Sequence, residues 1–151
     1  MKKYELTSET KIVFGHILYR IKALSSFGYV SAGDLGGFLE SEKNLSQNGN
    51  AWVSGNAEVS GNAEVSGDAR VSEIGAIFWI GAVGSRNDTA TFFRCRDGSI
   101  KVVCGCFFGN LDEFAKKVRK THGDNDHAKV YMLAIDMAKI RISTEKEKTE
   151  E

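Results

Sequence analysis

From Ala51 the chain repeats itself every six residues: Ala-Trp-Val-Ser-Gly-Asn, Ala-Glu-Val-Ser-Gly-Asn, Ala-Glu-Val-Ser-Gly-Asp and Ala-Arg-Val-Ser-Glu-Ile. A period of six belongs neither to an α-helix nor to an ordinary hairpin. In each unit the alanine (Ala51, Ala57, Ala63, Ala69) and the valine two positions later (Val53, Val59, Val65, Val71) share one strand face, because successive side chains alternate across a strand. That face is expected to point inward. The Gly-Asn or Gly-Asp pair that follows supplies a turn, since these residues tolerate a bent or left-handed backbone. Each hexad therefore reads as a short strand and a corner, and equal units of this kind close by winding, each turn bonded to the one below. The residue between alanine and valine points outward. It is Trp52 in the first unit and Glu58, Glu64 and Arg70 in the later ones, so Trp52 is expected at a subunit or cap contact and is assigned to an oligomer interface.

These units resemble the hexapeptide-repeat family, in which an aliphatic residue is followed by a small or acidic one, two variable positions and a small residue. The resemblance implies a short left-handed parallel β-helix with about three hexads per turn, commonly assembled as a trimer. It is close over residues 51–71 and loose over 35–50 and 72–83. Residues 35–40 and 44–49 read as irregular preceding corners, and Ile74, Ile77, Trp79 and Ile80 as a final turn or cap. Four good hexads make little more than one turn, so both ends need covering. Residues 4–24 offer an N-terminal cap: Lys11-Ile12-Val13-Phe14 and Ile17-Leu18-Tyr19-Arg20-Ile21 predict a hairpin turning at Gly15-His16.

The C-terminal part follows another pattern. Residues 89–95 and 99–106 are strand-like and flank Asp97-Gly98, a two-residue hairpin signal. A turn on those two residues opposes Arg96 with Ser99, Arg94 with Lys101 and Phe93 with Val102. Thr91, Phe93, Cys95, Ile100, Val102, Cys104 and Cys106 then share a core face, and Arg94 opposite Lys101 invites an anion, because like charges across a hairpin are unfavourable. Asn110 followed by Glu113, an apolar stripe at Leu111, Phe114, Ala115 and Val118, and a stop at Gly123 predict one helix. Asp124-Asn125-Asp126 predicts the cap of a second, with the stripe Ala128, Tyr131, Met132, Ile135, Ala138 and Ile142. The expected organisation is an N-terminal cap and hexapeptide β-helix over 1–83, a β-hairpin and two-helix domain over 84–143, and a frayed tail over 144–151.

Composition narrows the function classes. Twenty basic and twenty acidic residues cancel, which removes the global field that draws proteins to bulk nucleic acid or anionic membranes. No apolar run approaches a membrane span, and Met1-Lys2-Lys3-Tyr4-Glu5 leads into no apolar signal region, so the chain reads as unsecreted. Three cysteines, an odd number, fit a reducing compartment better than a disulfide framework. Cys95, Cys104 and Cys106 read as buried thiols with no fourth ligand at zinc-like spacing, although His122 could approach them in the fold; no metal or cofactor is assigned. Acyl transfer from coenzyme A, common among hexapeptide-repeat enzymes, needs a histidine beside the coils. This chain has His16, His122 and His127 only, none between residues 17 and 121, so no catalytic residue is assigned.

The most suggestive stretch is Gly84-Ser85-Arg86-Asn87-Asp88-Thr89. Backbone amides in a Gly-Ser turn beside an arginine fork hold a phosphate or carboxylate. The expected anion site comprises Ser85, Arg86, Asn87 and Thr89 with the cationic strand residues Arg94, Arg96 and Lys101. The turn at Gly105-Cys106-Phe107-Phe108-Gly109-Asn110 is a second place where amides meet an anion. The whole chain also resembles small phage and prophage proteins with a Tyr-Glu-Leu-Thr hairpin, a Tyr-Arg-Ile-Lys-Ala-Leu strand, Gly-Asn-Ala repeats and a Gly-Ser-Arg-Asn-Asp-Thr segment. Its counterparts lie at 4–7, 19–24, 49–69 and 84–89. The resemblance implies a cytoplasmic protein of an infected or lysogenic bacterial host. The expected role is a non-enzymatic homo-oligomer that sequesters a small anionic ligand, such as a nucleotide immune signal, in counter-defence. The alternative is a structural module whose repeats form an oligomerising stalk and whose C-terminal part docks on a host protein.

Overall fold

A computed structural model describes residues 2–142 and divides the chain into two units, Met1–Ile74 and Gly75–Glu151. The tail expected over 144–151 lies outside the described residues.

The first unit contains β1 (Tyr4–Val13), β2 (His16–Ala23), β3 (Leu35–Leu39), β4 (Trp52–Val53), β5 (Glu58–Val59) and β6 (Arg70–Val71). The N-terminal hairpin is present. Its turn falls on Phe14-Gly15, one residue earlier than expected, with φ of 49° and 83° and Val13 paired to His16. Two consecutive positive-φ residues match the right-handed twist of the flanking strands. β2 then pairs antiparallel with β3, and β3 parallel with β5, in the order β1-β2-β3-β5.

The hexads bury what their alternation says they should. Ala51, Val53, Ala57, Val59, Ala63, Val65, Ala69 and Val71 are all buried. Gly55, Gly61 and Gly67 take positive φ in the intervening corners. The expected left-handed parallel β-helix is nevertheless not what they build. Their parallel pairing is confined to β3–β5, β4–β6 and a lone Leu45–Val65 bridge, and the sheets are small and antiparallel or mixed. The reason is length. Four hexads make little more than one turn, so each short strand meets a single parallel partner and the ladders are two residues long, whereas a parallel helical sheet needs several turns stacked in sequence. The dominant sheet grows instead from the antiparallel N-terminal hairpin.

Of the two contacts expected for Trp52, the structure shows the cap contact and not the assigned oligomer interface. Trp52 is buried, with its ring set edge-on to Phe27 at 5.4 Å and to Tyr4 at 6.4 Å. The outward position in the repeat is covered by the chain's own cap, so the tryptophan serves an intramolecular contact. Around it, the Tyr4 hydroxyl lies 2.6 Å from the Leu45 carbonyl, and the Lys3 ammonium donates to the Ala51 carbonyl at 2.8 Å while sitting over the Phe27 ring. Asn44, fully buried, donates to the carbonyls of Ala63 and Gly61 and accepts from the Ser41 amide. These polar groups close the top of the hexad core with their hydrogen bonds met.

The second unit contains β7 (Ile77–Val83), β8 (Asp88–Arg94), β9 (Ile100–Cys104), β10 (Phe107–Asn110), α1 (Leu111–His122) and α2 (Asp126–Arg141). Residues 77–83, expected to end the first unit, form the edge strand of an antiparallel sheet in the order β10-β9-β8-β7. The β8–β9 register is one residue off the expected one: Phe92 opposes Val102, Phe93 opposes Lys101 and Arg94 opposes Ile100. The Asp97 carboxylate accepts from the Ser99 amide and hydroxyl, Gly98 takes φ of 89°, the Cys95 amide donates to the Ser99 carbonyl at 2.8 Å and the Gly98 amide to the Cys95 carbonyl at 2.9 Å, so the loop has three residues, not two. That is a turn followed by a left-handed glycine, the common three-residue hairpin. A one-residue slip exchanges faces. The face packed on the helices consequently carries Ala90, Phe92, Val102 and Cys104, while Thr91 and Phe93 lie on the opposite face.

Both helices form as expected. Asn110 accepts from the Glu113 amide at 2.8 Å and donates its own amide to the Glu113 carboxylate at 2.9 Å, a capping box that fixes the start of α1. Asn125 caps α2 by accepting from the Ala128 amide. Phe114, Val118, Ala128, Tyr131, Ala134, Ile135, Ala138 and Ile142 meet the sheet in a single core. No helix among the described residues is long and apolar enough to cross a membrane.

Two outcomes follow for the first unit. Trp52→Ala is expected to cost about 3–5 kcal/mol of stability in chemical denaturation without changing the mass of the particle; an interface tryptophan would do the reverse. Burial pushes the Lys3 ammonium down from 10.5 to about 8. Between these two values the unfolded chain holds a proton that the folded one has released, so stability rises with pH across that window. Denaturation midpoints from pH 7.5 to 10 check this, and Lys3→Met should flatten the rise.

Candidate functional site

Three segments of the second unit enclose a cleft of about 430 Å³. The first is the turn between β7 and β8, where Asn87 takes φ of 56° and donates its amide to the Gly84 carbonyl at 3.3 Å. It contributes Ser85, Arg86 and Asp88. The second is the two-residue turn between β9 and β10, contributing Gly105 and Cys106 between the flanking Cys104 and Phe107. The third is one face of α1: Phe114, Lys117, Val118, Thr121 and His122 recur at helical spacing and line the cleft together, with Tyr131 of α2 behind them.

The floor is aromatic. Phe114 contacts Phe107 at 5.2 Å and meets Tyr131 edge-on at 5.5 Å, and His122 stacks on Tyr131 at 5.8 Å with 23° between the planes. The rim is polar and carries two cations, Arg86 and Lys117, beside the carboxylate of Asp88. Tyr131 is pinned from below. The Cys104 thiol donates to its hydroxyl at 4.0 Å, and a Cβ on Gly84 would overlap that hydroxyl. Burial first, then the Cys104 thiol and the Asp88 charge, push the Tyr131 phenol up to about 12. It therefore stays protonated and uncharged at physiological pH, a hydrogen-bonding wall and not a base.

Of the residues expected at an anion site, the structure brings Ser85 and Arg86 into the cleft and leaves the others elsewhere. Asn87 shapes the turn, and Thr89 sits on β8 outside the lining. Arg94 is buried and opposes Ile100, and Arg96 lies in the exposed hairpin loop. Lys101 opposes Phe93, with its ammonium 5.6 Å from the Phe108 ring centroid. The expected Arg94–Lys101 pairing is thus corrected. The register slip puts the two on opposite faces of the sheet, and all three strand and loop cations have interactions of their own. Cys106 is exposed at the turn tip, so the expectation of three buried thiols holds for Cys95 and Cys104 alone. Among the described residues no cluster of three or more His, Cys, Asp or Glu is placed to hold a metal ion.

Sequence reasoning misses Lys117, Thr121 and Tyr131 as lining residues and assigns His122 to the helix-to-helix turn. Their signal was spacing: 114, 117, 118, 121 and 122 are one helical face, and its polar members point to a site only once the glycine turns are known to lie beside it. No protein-family model matches the chain, and no curated protein matches it.

Gly84→Ala is expected to lose about 1–3 kcal/mol, because the new methyl collides with a pinned phenol and the backbone there has φ of 75°. Combining it with Tyr131→Phe should recover part of the loss. Equal costs in the single and double variants would show that Gly84 and Tyr131 do not touch.

Proposed function

We propose that the chain is a non-enzymatic binding protein that holds a small anionic ligand with a planar ring, a nucleotide or a close analogue, in the cleft of its second unit. One observation carries this reading: Arg86 and Lys117 converge with Ser85, Thr121 and the Gly105-Cys106 turn over a floor of Phe107, Phe114, His122 and Tyr131. Guanidinium, ammonium and hydroxyl groups suit phosphate oxygens. Aromatic faces suit a base. A volume of about 430 Å³ is within the range of small-ligand pockets. Asp88, beside the cations, accepts from a ring amino group or a ribose hydroxyl and sets the orientation.

The role is sequestration. A binder that keeps its ligand intact needs shape and charge but no positioned base, and the phenol of Tyr131 is held out of that role. The resemblance to small phage and prophage proteins supports a setting in the cytoplasm of an infected or lysogenic bacterium, where removing a nucleotide signal of host immunity is counter-defence.

A panel of mono-, di- and cyclic dinucleotides, with inorganic phosphate as the simplest anion, is tested by thermal shift and calorimetry. At least one nucleotide should stabilise the protein and be recovered chemically unchanged. Arg86→Ala should weaken that binding tenfold or more, in line with the loss of one charge-assisted hydrogen bond, and Arg96→Ala should leave it within twofold. Absence of stabilisation across the panel, or equal effects of the two arginines, overturns the assignment.

A further inference from the structure

α2 is apolar on two sides. Ala128, Tyr131, Ala134, Ile135 and Ala138 are buried against the sheet and α1, whereas Val130, Leu133, Met137 and Ile140 are 40%, 62%, 41% and 86% exposed. A surface helix keeps one apolar stripe, and one that is apolar all round is covered on both sides. The second stripe has a specific rhythm. Its members are spaced three, four and three residues apart, which is the a, d, a, d seam of a coiled coil. Residues 143–151, Ser-Thr-Glu-Lys-Glu-Lys-Thr-Glu-Glu, carry no apolar side chain.

We infer that the seam is covered by the same seam of a second copy, in a parallel two-stranded pairing of α2 about a two-fold axis. Two features choose this occupant. With Val130 and Met137 at a and Leu133 and Ile140 at d, the g position before Met137 is Asp136 and the e position after Ile140 is Arg141, both exposed. In a parallel, in-register pair a g residue meets the e residue five positions further along the partner helix, so Asp136 of each copy faces Arg141 of the other, twice over. An antiparallel pairing that buries the same four layers brings Asp136 against its own copy. A β-branched residue at one a position and leucine at one d position also favour two strands over three. The contact is isologous and closes on itself, so it gives dimers and not filaments. About two heptads bury less than large obligate interfaces do, which makes a concentration-dependent dimer the expected form.

The test uses the full chain. Sedimentation equilibrium up to ~100 µM should show a monomer–dimer equilibrium, and Leu133→Glu, at a position already exposed, should leave a folded monomer by circular dichroism and mass. Asp136→Arg should weaken association about tenfold, and adding Arg141→Asp should restore it to within about twofold. In a Cys106→Ser background, Met137→Cys should give a disulfide-linked dimer under mild oxidation, since a faces a in the parallel register. A monomer throughout the range, a trimer, a dimer indifferent to Leu133→Glu, or failure of the 137–137 crosslink in a chain that still dimerises each overturns the inference.

Discussion

The hairpin loop at Arg96-Asp97-Gly98 decides what the second unit is. Because Asp97 binds the Ser99 amide and hydroxyl and Gly98 takes the left-handed conformation, the loop holds three residues and the β8–β9 ladder is set accordingly. That ladder turns Ala90, Phe92, Val102 and Cys104 toward the helices. With them in place, Phe114 packs edge-on against Phe92 at 6.1 Å, and Tyr131 comes within reach of the Cys104 thiol. A ladder slipped by one residue would have offered the helices Thr91 and Phe93 and sent Phe92 to the far side. The cleft depends on the same choice, since Cys104 and the turn that follows it form one of its walls.

The first unit solves a different problem. Its hexads have small and β-branched residues wherever the backbone faces inward, and these fill a narrow core. They are too few to complete a parallel structure, so the edges of the core are finished by other means. The β1–β2 hairpin adds antiparallel strands, Trp52 with Tyr4 and Phe27 seals one end, buried Asn44 donates to the hexad carbonyls of Gly61 and Ala63, and half-buried Gln47 accepts from the Lys3 amide. A residue that looks like an interface anchor in one repeat becomes a cap residue because a hairpin far earlier in the chain lies over it.

In the cleft, charge and ring surface come from segments that are separately unremarkable. A glycine turn, a second glycine turn and a helix face carry one arginine, one lysine, one aspartate and a stack of rings. None is a motif. Their meaning lies in convergence, which concentrates donors on a site whose floor is apolar and whose phenol stays neutral. The strand cations expected to join them are spread over two faces of the sheet and engaged there.

The sequence by itself determined whatever depends on neighbours within a few residues. The inward alanines and valines, the glycine corners, the Asn110 and Asn125 caps, both helices and the turn that carries Ser85-Arg86 were legible because alternation, capping and turn chemistry act locally. Only the tertiary structure decided the pairings that join distant segments. Whether the hexads wind or add to a hairpin sheet depends on how many turns there are to stack. Which face of β8 is core depends on a single residue of register, and a period of two makes that slip reverse every side chain. Which polar residues of α1 belong to a site depends on turns elsewhere in the chain being folded against it. Local chemistry is written in the order of residues, whereas a ladder, a core face and a cleft exist only after separate elements have met.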